Sequence, residues 1–290
     1  LVSFAGLEAC QTAKTSTATK LLKFNLEKGK GYDYELTTNM DQEIMGQPMK
    51  MDMVMYYSMD VSGEDEGVKA IIASFERFKM KTEVAGFNLD VDTDKPLPAG
   101  SGDLKDEPFK AINKVFGAVK GQKFMMKVNA EGKITDVQGF ETMAESIADS
   151  LSLDAEEREK LMKEFKGQFN AEELKQGLER YWYIFPNKEV RVGDSWNKTS
   201  EMGGKMPGTY KSTYTVSDIE GDMVTLEEST KIQAKEGEAM SLTGTVTGTI
   251  VVDSRSGLVV KADQDMKMKA SSGAMSFDIK GKSKLKGVAR

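Results

Sequence analysis

Two hydrophobic periods divide the chain. From Lys20 to Asp94 apolar and polar residues alternate: Tyr32, Tyr34, Leu36, Thr38 and Met40 fall in one phase, and Asp33, Glu35, Thr37 and Asn39 in the other. A period of two predicts strands with one face buried. Gly46-Gln47-Pro48 interrupts the run, so the segment reads as a hairpin of long strands. The next run, Val68 to Val84, shifts its apolar phase midway, which predicts a bulge or a strand buried on both faces. Phe87, Leu89 and Val91 then form the inward positions of a shorter strand.

A connector rich in Pro, Gly and Ser, residues 95–103, ends this first β block, and the period changes behind it. Phe109, Ile112, Val115 and Phe116 share one helical face, with Pro108 tolerated in the first turn. A hairpin follows, with Asn129-Ala130-Glu131-Gly132 as its turn and the glycine where positive φ is needed. Met143, Ile147 and Leu151 mark a helix; Asp154 and Asn170 are N-caps for two more, Asn170 with Glu173 at the capping-box position, and Pro186 is a stop. From Val190 onward alternation returns, as in Leu258, Val260, Ala262, Met266 and Met268 against Val259, Lys261, Asp263, Asp265 and Lys267. The expected fold is therefore α+β, mainly antiparallel β: long curved meander sheets, half-barrel-like, with a helical insertion between two β blocks. The expected organisation is 1–20 as signal remnant and tether, 21–94 as the first β block, 95–186 as a helical segment with a hairpin, and 187–290 as the second β block, together one compact unit.

Charge and composition remove whole classes of chemistry. The chain has 290 residues, 40 basic and 46 acidic, a net charge of −6 and no basic patch in its body, which argues against nucleic acid as a partner. It contains no histidine, which excludes Ser-His and Cys-His nucleophile pairs and His-ligated zinc. Its single cysteine, Cys10, can form neither an intrachain disulfide nor a thiolate cluster.

The setting of Cys10 says more than its number. Leu1 to Cys10 read as the tail of an apolar segment ending in small residues, as a secretory signal finishes. Leu7-Glu8-Ala9-Cys10 resembles the lipobox of bacterial lipoproteins, whose cysteine becomes the lipidated first residue; Glu8 departs from the small or apolar residue usual there. The run from Gln11 to Lys20 is polar and small, as a tether would be. Lipidation at Cys10 is the expectation, with the membrane as a partner through that anchor.

Five methionines, Met49, Met51, Met53, Met55 and Met59, share one phase of a single strand and therefore one face. Thioethers bind Cu(I), but Met also fills apolar surfaces that must adapt to irregular partners. No histidine or second cysteine joins the stripe, and the 19 methionines are spread along the chain, so apolar lining is preferred and no metal or cofactor is expected. Tyr57 lies in the same phase. Trp182 and Phe185, in the densest aromatic cluster, Tyr181 to Phe185, complete the candidate ligand-lining set; the alternative for the cluster is a helix end docked on the sheet.

Two other motifs carry nothing. Asp90, Asp92 and Asp94 begin like a calcium loop, but Lys95 stands where that loop needs glycine and Ser101 where it needs glutamate. Ser283-Lys284-Leu285-Lys286 spells Ser-x-x-Lys inside an alternating strand, whereas that signature must open a helix. No catalytic residue emerges, and the chain is read as non-enzymatic.

Gly31-Tyr32-Asp33-Tyr34, the turn Asn129 to Gly132, and Phe185-Pro186 followed by Val192-Gly193-Asp194-Ser195-Trp196 resemble an uncharacterised family of exported bacterial lipoproteins over most of the chain. That resemblance implies export to the periplasm or outer membrane and brings no activity or catalytic residue with it. In architecture the pattern is also similar to the half-barrels of periplasmic lipoprotein and lipid carriers. The resulting expectation is a lipid-anchored envelope protein that binds a lipid or other hydrophobic ligand on a Met- and aromatic-lined sheet face. The alternatives are a structural or interaction module whose partner is another envelope protein, then a Cu(I)-binding protein or a hydrolase.

Overall fold

The computed structural model describes residues 18–44, 46–84, 87–95, 116–150, 155–156, 158–159, 162, 171–204, 206–238, 240–273 and 275–290. Alternation has become strands almost throughout. The first block holds β1 (Lys20–Leu22), β2 (Gly31–Ile44), β3 (Gln47–Asp65), β4 (Val68–Val84) and β5 (Phe87–Asp92). The middle segment contributes β6 (Lys123–Val128), β7 (Ile134–Gln138), α1 (Phe140–Ser150) and α2 (Ala171–Trp182). The second block holds β8 (Lys188–Val190), β9 (Ser195–Met202), β10 (Gly208–Glu220), β11 (Met223–Gln233), β12 (Ser241–Asp253), β13 (Leu258–Ser272) and β14 (Met275–Ala289).

The two β blocks form one 12-stranded sheet, in the order β7-β6-β4-β3-β2-β14-β13-β12-β11-β10-β9, with β5 beside β4 and every pairing antiparallel. The blocks meet where the last strand pairs with β2, setting Leu285 opposite Leu36 and Ser283 opposite Thr38. The phase shift read in Val68–Val84 is a bulge: Phe75 pairs Tyr57 while Arg77 pairs Tyr56, leaving Glu76 over. The helical insertion is smaller than expected. Its hairpin, β6–β7, joins the sheet beside β4, so the middle segment extends the sheet as well as covering it.

The sheet rolls up but does not close. Laid flat, eleven strands in series would span roughly 48 Å at about 4.8 Å per strand, whereas a 12-residue helix such as α2 is only about 18 Å long. Yet α2 reaches both edges. Glu179 Oε1 accepts a hydrogen bond from the Ile134 N–H of β7 at 2.7 Å, and Gln176 Oε1 accepts one from the Gly203 N–H, just past β9, at 3.1 Å. Only a curled sheet brings β7 and β9 to one short helix, and the two edges are not paired with each other. Beyond α2, Tyr183 spans the seam with its ring, over which lie Lys133 Nζ at 4.5 Å, beside β7, and Lys198 Nζ at 4.1 Å, on β9.

Curling needs small residues on the inner face. At Gly248 on β12 a Cβ would lie 2.2 Å from the Asp263 carbonyl oxygen of β13, so only glycine lets these strands approach so closely. The turn between β6 and β7 is held in the same way. Gly132, at φ +85°, would place a Cβ 2.0 Å from the Trp182 carbonyl oxygen at the end of α2.

One end of the roll is plugged. The small sheet of β1 and β8 brings Leu22 and Val190 against the main core, where Phe24 packs on Trp182 with ring centroids 5.5 Å apart. Trp196 donates its ring N–H to the Ile184 carbonyl at 2.7 Å, fixing the chain as it leaves α2. Helix α2 ends at Trp182, before Pro186 could stop it. A separate apolar cluster, including Met202, Tyr210, Ile232, Leu242, Val246, Met266 and Ile279, lies toward the other end of the same inner face.

Candidate functional site

The candidate site is the inner face of the sheet, the face that α2 covers in part. On β3 the expected phase holds, and Met49, Met51, Met53 and Met55 all remain half-buried. Register places their neighbours. Met55 lies between Leu36 and Phe78, Met53 between Thr38 and Met80, and Met51 between Met40 and Thr82. Met49 stands opposite Gln42, whose side-chain amide is 3.1 Å from its sulfur. The result is a half-buried apolar surface over β2, β3 and β4.

The remaining sequence candidates belong to the plugged end. Met59, Trp182 and Phe185 are fully buried in the main core, and Tyr57 is buried against Tyr34, with ring centroids 5.0 Å apart and nearly parallel planes. Burial pushes both phenols well above their ordinary pKa. These four side chains define the floor beneath the methionine surface. Cys10 lies outside the described residues. The abandoned motifs have structural places: Asp92 pairs with Arg77 at 2.8 Å and is held at about 2, and Ser283 faces inward on β14.

Between the two apolar clusters runs a polar belt that the alternation had not marked as special. In β11 the inward phase reads Val224, Leu226, Glu228, Thr230, Ile232, so a carboxylate and a hydroxyl take core positions. Both are satisfied. Thr230 Oγ1 donates to Glu228 Oε1 at 2.8 Å and lies 2.7 Å from Ser212 Oγ, while Gln264 Nε2 donates to Glu228 Oε2 at 2.5 Å. Tyr181 of α2 donates to Gln264 Oε1 at 3.2 Å and lies 3.3 Å from Ser283 Oγ, extending the belt to β14. A connected network of this kind offsets the desolvation of each member, which an isolated buried polar group could not do.

Arg180 is the exception. Half-buried on α2, it lines a cavity of about 40 Å³ together with Lys198, Tyr210, Tyr214 and the carboxylates Glu179, Glu201 and Glu228, large enough for a water molecule. Burial opposes the guanidinium charge, but the fields of Tyr181 and Glu228 hold the group protonated. Among the described residues, no acceptor lies within hydrogen-bond or ion-pair distance of it. Burial lowers the Lys198 pKa and raises those of Tyr210 and Tyr214. Met202 and Val246, members of the second apolar cluster, line the same cavity.

Among the described residues no three Asp, Glu, His or Cys side chains gather as a metal site would need. No described helix is long and apolar enough to cross a membrane.

A family model described as "Family of unknown function (DUF6263)" matches residues 66–259, more than half of the chain. No curated protein matches the sequence. Among solved structures, the translocator domain of the autotransporter NalP from Neisseria meningitidis aligns over 90% of this chain and 88% of its own, at 6% identity and a TM-score of 0.25. OccK5 (OpdH) of Pseudomonas aeruginosa aligns over 88% of this chain and 65% of its own, at 9% identity and a TM-score of 0.17. TM-scores this low carry no inference about what the present chain does.

Proposed function

We propose that this chain, which belongs to the family of unknown function DUF6263, is a non-enzymatic, lipid-anchored protein of the cell envelope that holds a lipid or other hydrophobic molecule on the inner face of its rolled sheet. One observation carries the reading. Met49, Met51, Met53 and Met55, with Met40 and Met80 beside them, stay half-buried on the face whose continuation forms a dense core. Flexible thioethers over a concave apolar surface suit a ligand of irregular shape, and a mere core would bury them as completely as Met59. The half-barrel of a periplasmic carrier is the architectural analogue, and anchoring through Cys10 would keep the protein at the periplasmic or outer-membrane surface.

The test is mass spectrometry of small molecules extracted from the full chain purified from its native envelope, followed by titration of the delipidated protein with a hydrophobic fluorescent probe. A co-purifying lipid and saturable probe uptake support the reading. A protein that carries nothing and takes up no probe would be a structural module instead.

A further inference from the structure

The outer face of the sheet carries its charges in rows, because cross-strand register sets outward side chains side by side. Over much of the face these rows alternate in sign. Lys282 lies opposite Asp265 and Lys284 opposite Asp263 between β13 and β14, and Lys50 of β3 stands between Asp41 of β2 and Glu83 of β4. Lys261 does face Lys286, but each is met by a carboxylate, Asp263 at 2.8 Å and Glu35 at 3.8 Å.

One row departs from that pattern. Lys211 of β10 faces Lys231 of β11, Thr245 of β12 follows, and then Lys267 of β13 faces Lys280 of β14, before the row ends at Asp41. All four lysines are exposed, and among the described residues none is ion-paired with a carboxylate. Like charges set directly opposite destabilise a strand pair, so the row costs stability in the free protein. In a chain of net charge −6 it does not follow from a general excess of lysine. The row crosses four strand spacings, roughly 19 Å at about 4.8 Å each.

A groove occupies one end of the row. Between β10 and β12 the outer face is hollowed into an open groove of about 660 Å³ lined by Lys211, Thr213, Ser229, Lys231, Thr243 and Thr245. Among the described residues that line it there is neither a carboxylate nor an aromatic ring. Asp265, two positions before Lys267 on the same face, is engaged by Lys282 at 3.5 Å. Ammonium groups interleaved with hydroxyls suit a ligand that offers both anionic oxygens and hydroxyl groups, held by charge and hydrogen bonds without ring stacking. A groove that leads into a line of charges accommodates a linear chain better than the flat surface of a bilayer.

We propose that the groove and the lysine row beyond it bind an acidic polysaccharide laid across β10 to β14, its carboxylates meeting Lys211, Lys231, Lys267 and Lys280 and its hydroxyls meeting Thr213, Ser229, Thr243 and Thr245. This site lies on the opposite face from the methionine surface and does not depend on a ligand there.

The experiment titrates the full chain at low salt with polygalacturonate, and with dextran as an uncharged polymer. It compares wild type, Lys211→Gln/Lys231→Gln, and Lys282→Gln/Lys284→Gln, which removes two ion-paired lysines from the same face. The expected result is saturable binding of polygalacturonate that weakens as salt rises, with no binding of dextran. Affinity should fall at least about tenfold in Lys211→Gln/Lys231→Gln, the scale of losing charge-assisted hydrogen bonds, and less than about threefold in the other double variant. Without ligand, Lys211→Gln/Lys231→Gln should melt at or above the wild-type temperature, because a like-charge pair is gone. A lower melting temperature would show that the facing lysines stabilise the sheet by themselves, which removes the reason for a ligand. No binding of polygalacturonate by wild type, or equal loss in the two double variants, overturns the proposal. Phosphatidylglycerol vesicles and single-stranded DNA are titrated in parallel. Tighter binding of either, with the same dependence on Lys211 and Lys231, would assign the row to a membrane or a nucleic acid and overturn the polysaccharide.

Discussion

The Tyr181 hydroxyl, on α2, reaches Gln264 Oε1 on β13 across 3.2 Å, joining this helix to a strand residue 83 positions further along the chain. Tyr181→Phe removes that donor and leaves buried amide and hydroxyl groups short of a partner. The expected cost is about 1–3 kcal/mol of stability, read as a lower denaturation midpoint in urea. Gln264→Leu combined with Tyr181→Phe should cost less than the sum of the two single changes, because the pair shares one bond.

Glu179 gives the protein a pH response. Burial raises its pKa against the opposing pull of the Ile134 N–H bond. A carboxyl whose folded pKa exceeds its unfolded one binds more protons when folded, so its stabilising contribution is complete below the ordinary glutamate pKa and is lost as pH rises through the folded value. Glu179→Gln keeps the acceptor for Ile134 and drops the charge. Thermal melts should show the variant gaining on wild type as pH climbs above the ordinary glutamate range, and a constant difference across pH would contradict this account.

Gly132 ties the β6–β7 turn to the end of α2. Alanine there must adopt positive φ and also push the Trp182 carbonyl away. Gly132→Ala should therefore destabilise by more than about 2 kcal/mol, whereas alanine at Gly177, whose added Cβ meets nothing, should be neutral or mildly stabilising. Equal melting temperatures for the two variants would refute the contact.

The methionine stripe divides at Tyr57. Met53→Leu, on the half-buried side, should cost less than about 1.5 kcal/mol, while Met59→Ala in the full core should cost about 2–5 kcal/mol. An anaerobic Cu(I) titration separates the metal reading from the apolar one. Stoichiometric binding that is lost progressively through Met51→Leu, Met53→Leu and Met80→Leu would overturn the preference for an apolar lining.

Lipidation is expected at Cys10. Expressed with a complete signal in a suitable bacterium, the protein should enter the detergent phase and carry an acyl mass, and Cys10→Ser should release it to the aqueous phase. A wild-type chain that stays aqueous without added mass would remove the anchor from the proposal.

The alternation of Tyr32 to Met40, Met49 to Met59 and Ala262 to Met268 by itself determined which segments are strands and which side of each is apolar, because a period of two leaves one solution for a half-buried strand; at Val259 and Val260 it failed, since a bulge buries Val259 beside Leu258. It also marked the phase shift in β4, leaving a bulge and a strand buried on both faces open until the register decided for the bulge, and the turn at Gly132, since a phase shift and a glycine are local signals. Which strand lies beside which was not local. The pairing of β14 with β2 joins residues at opposite ends of the chain, and no periodicity encodes that neighbour. The candidate site follows the same division: the methionine face was legible, but not which part of it stays half-buried, because that depends on where α2 and the β1–β8 pair sit. Glu228 and Thr230 left a trace in the sequence as polar residues in an apolar phase. Arg180 left none, since an arginine on a charged helix is ordinarily solvated. Only the rolling of the sheet around α2 turned that position inward and left its guanidinium without a protein acceptor among the described residues.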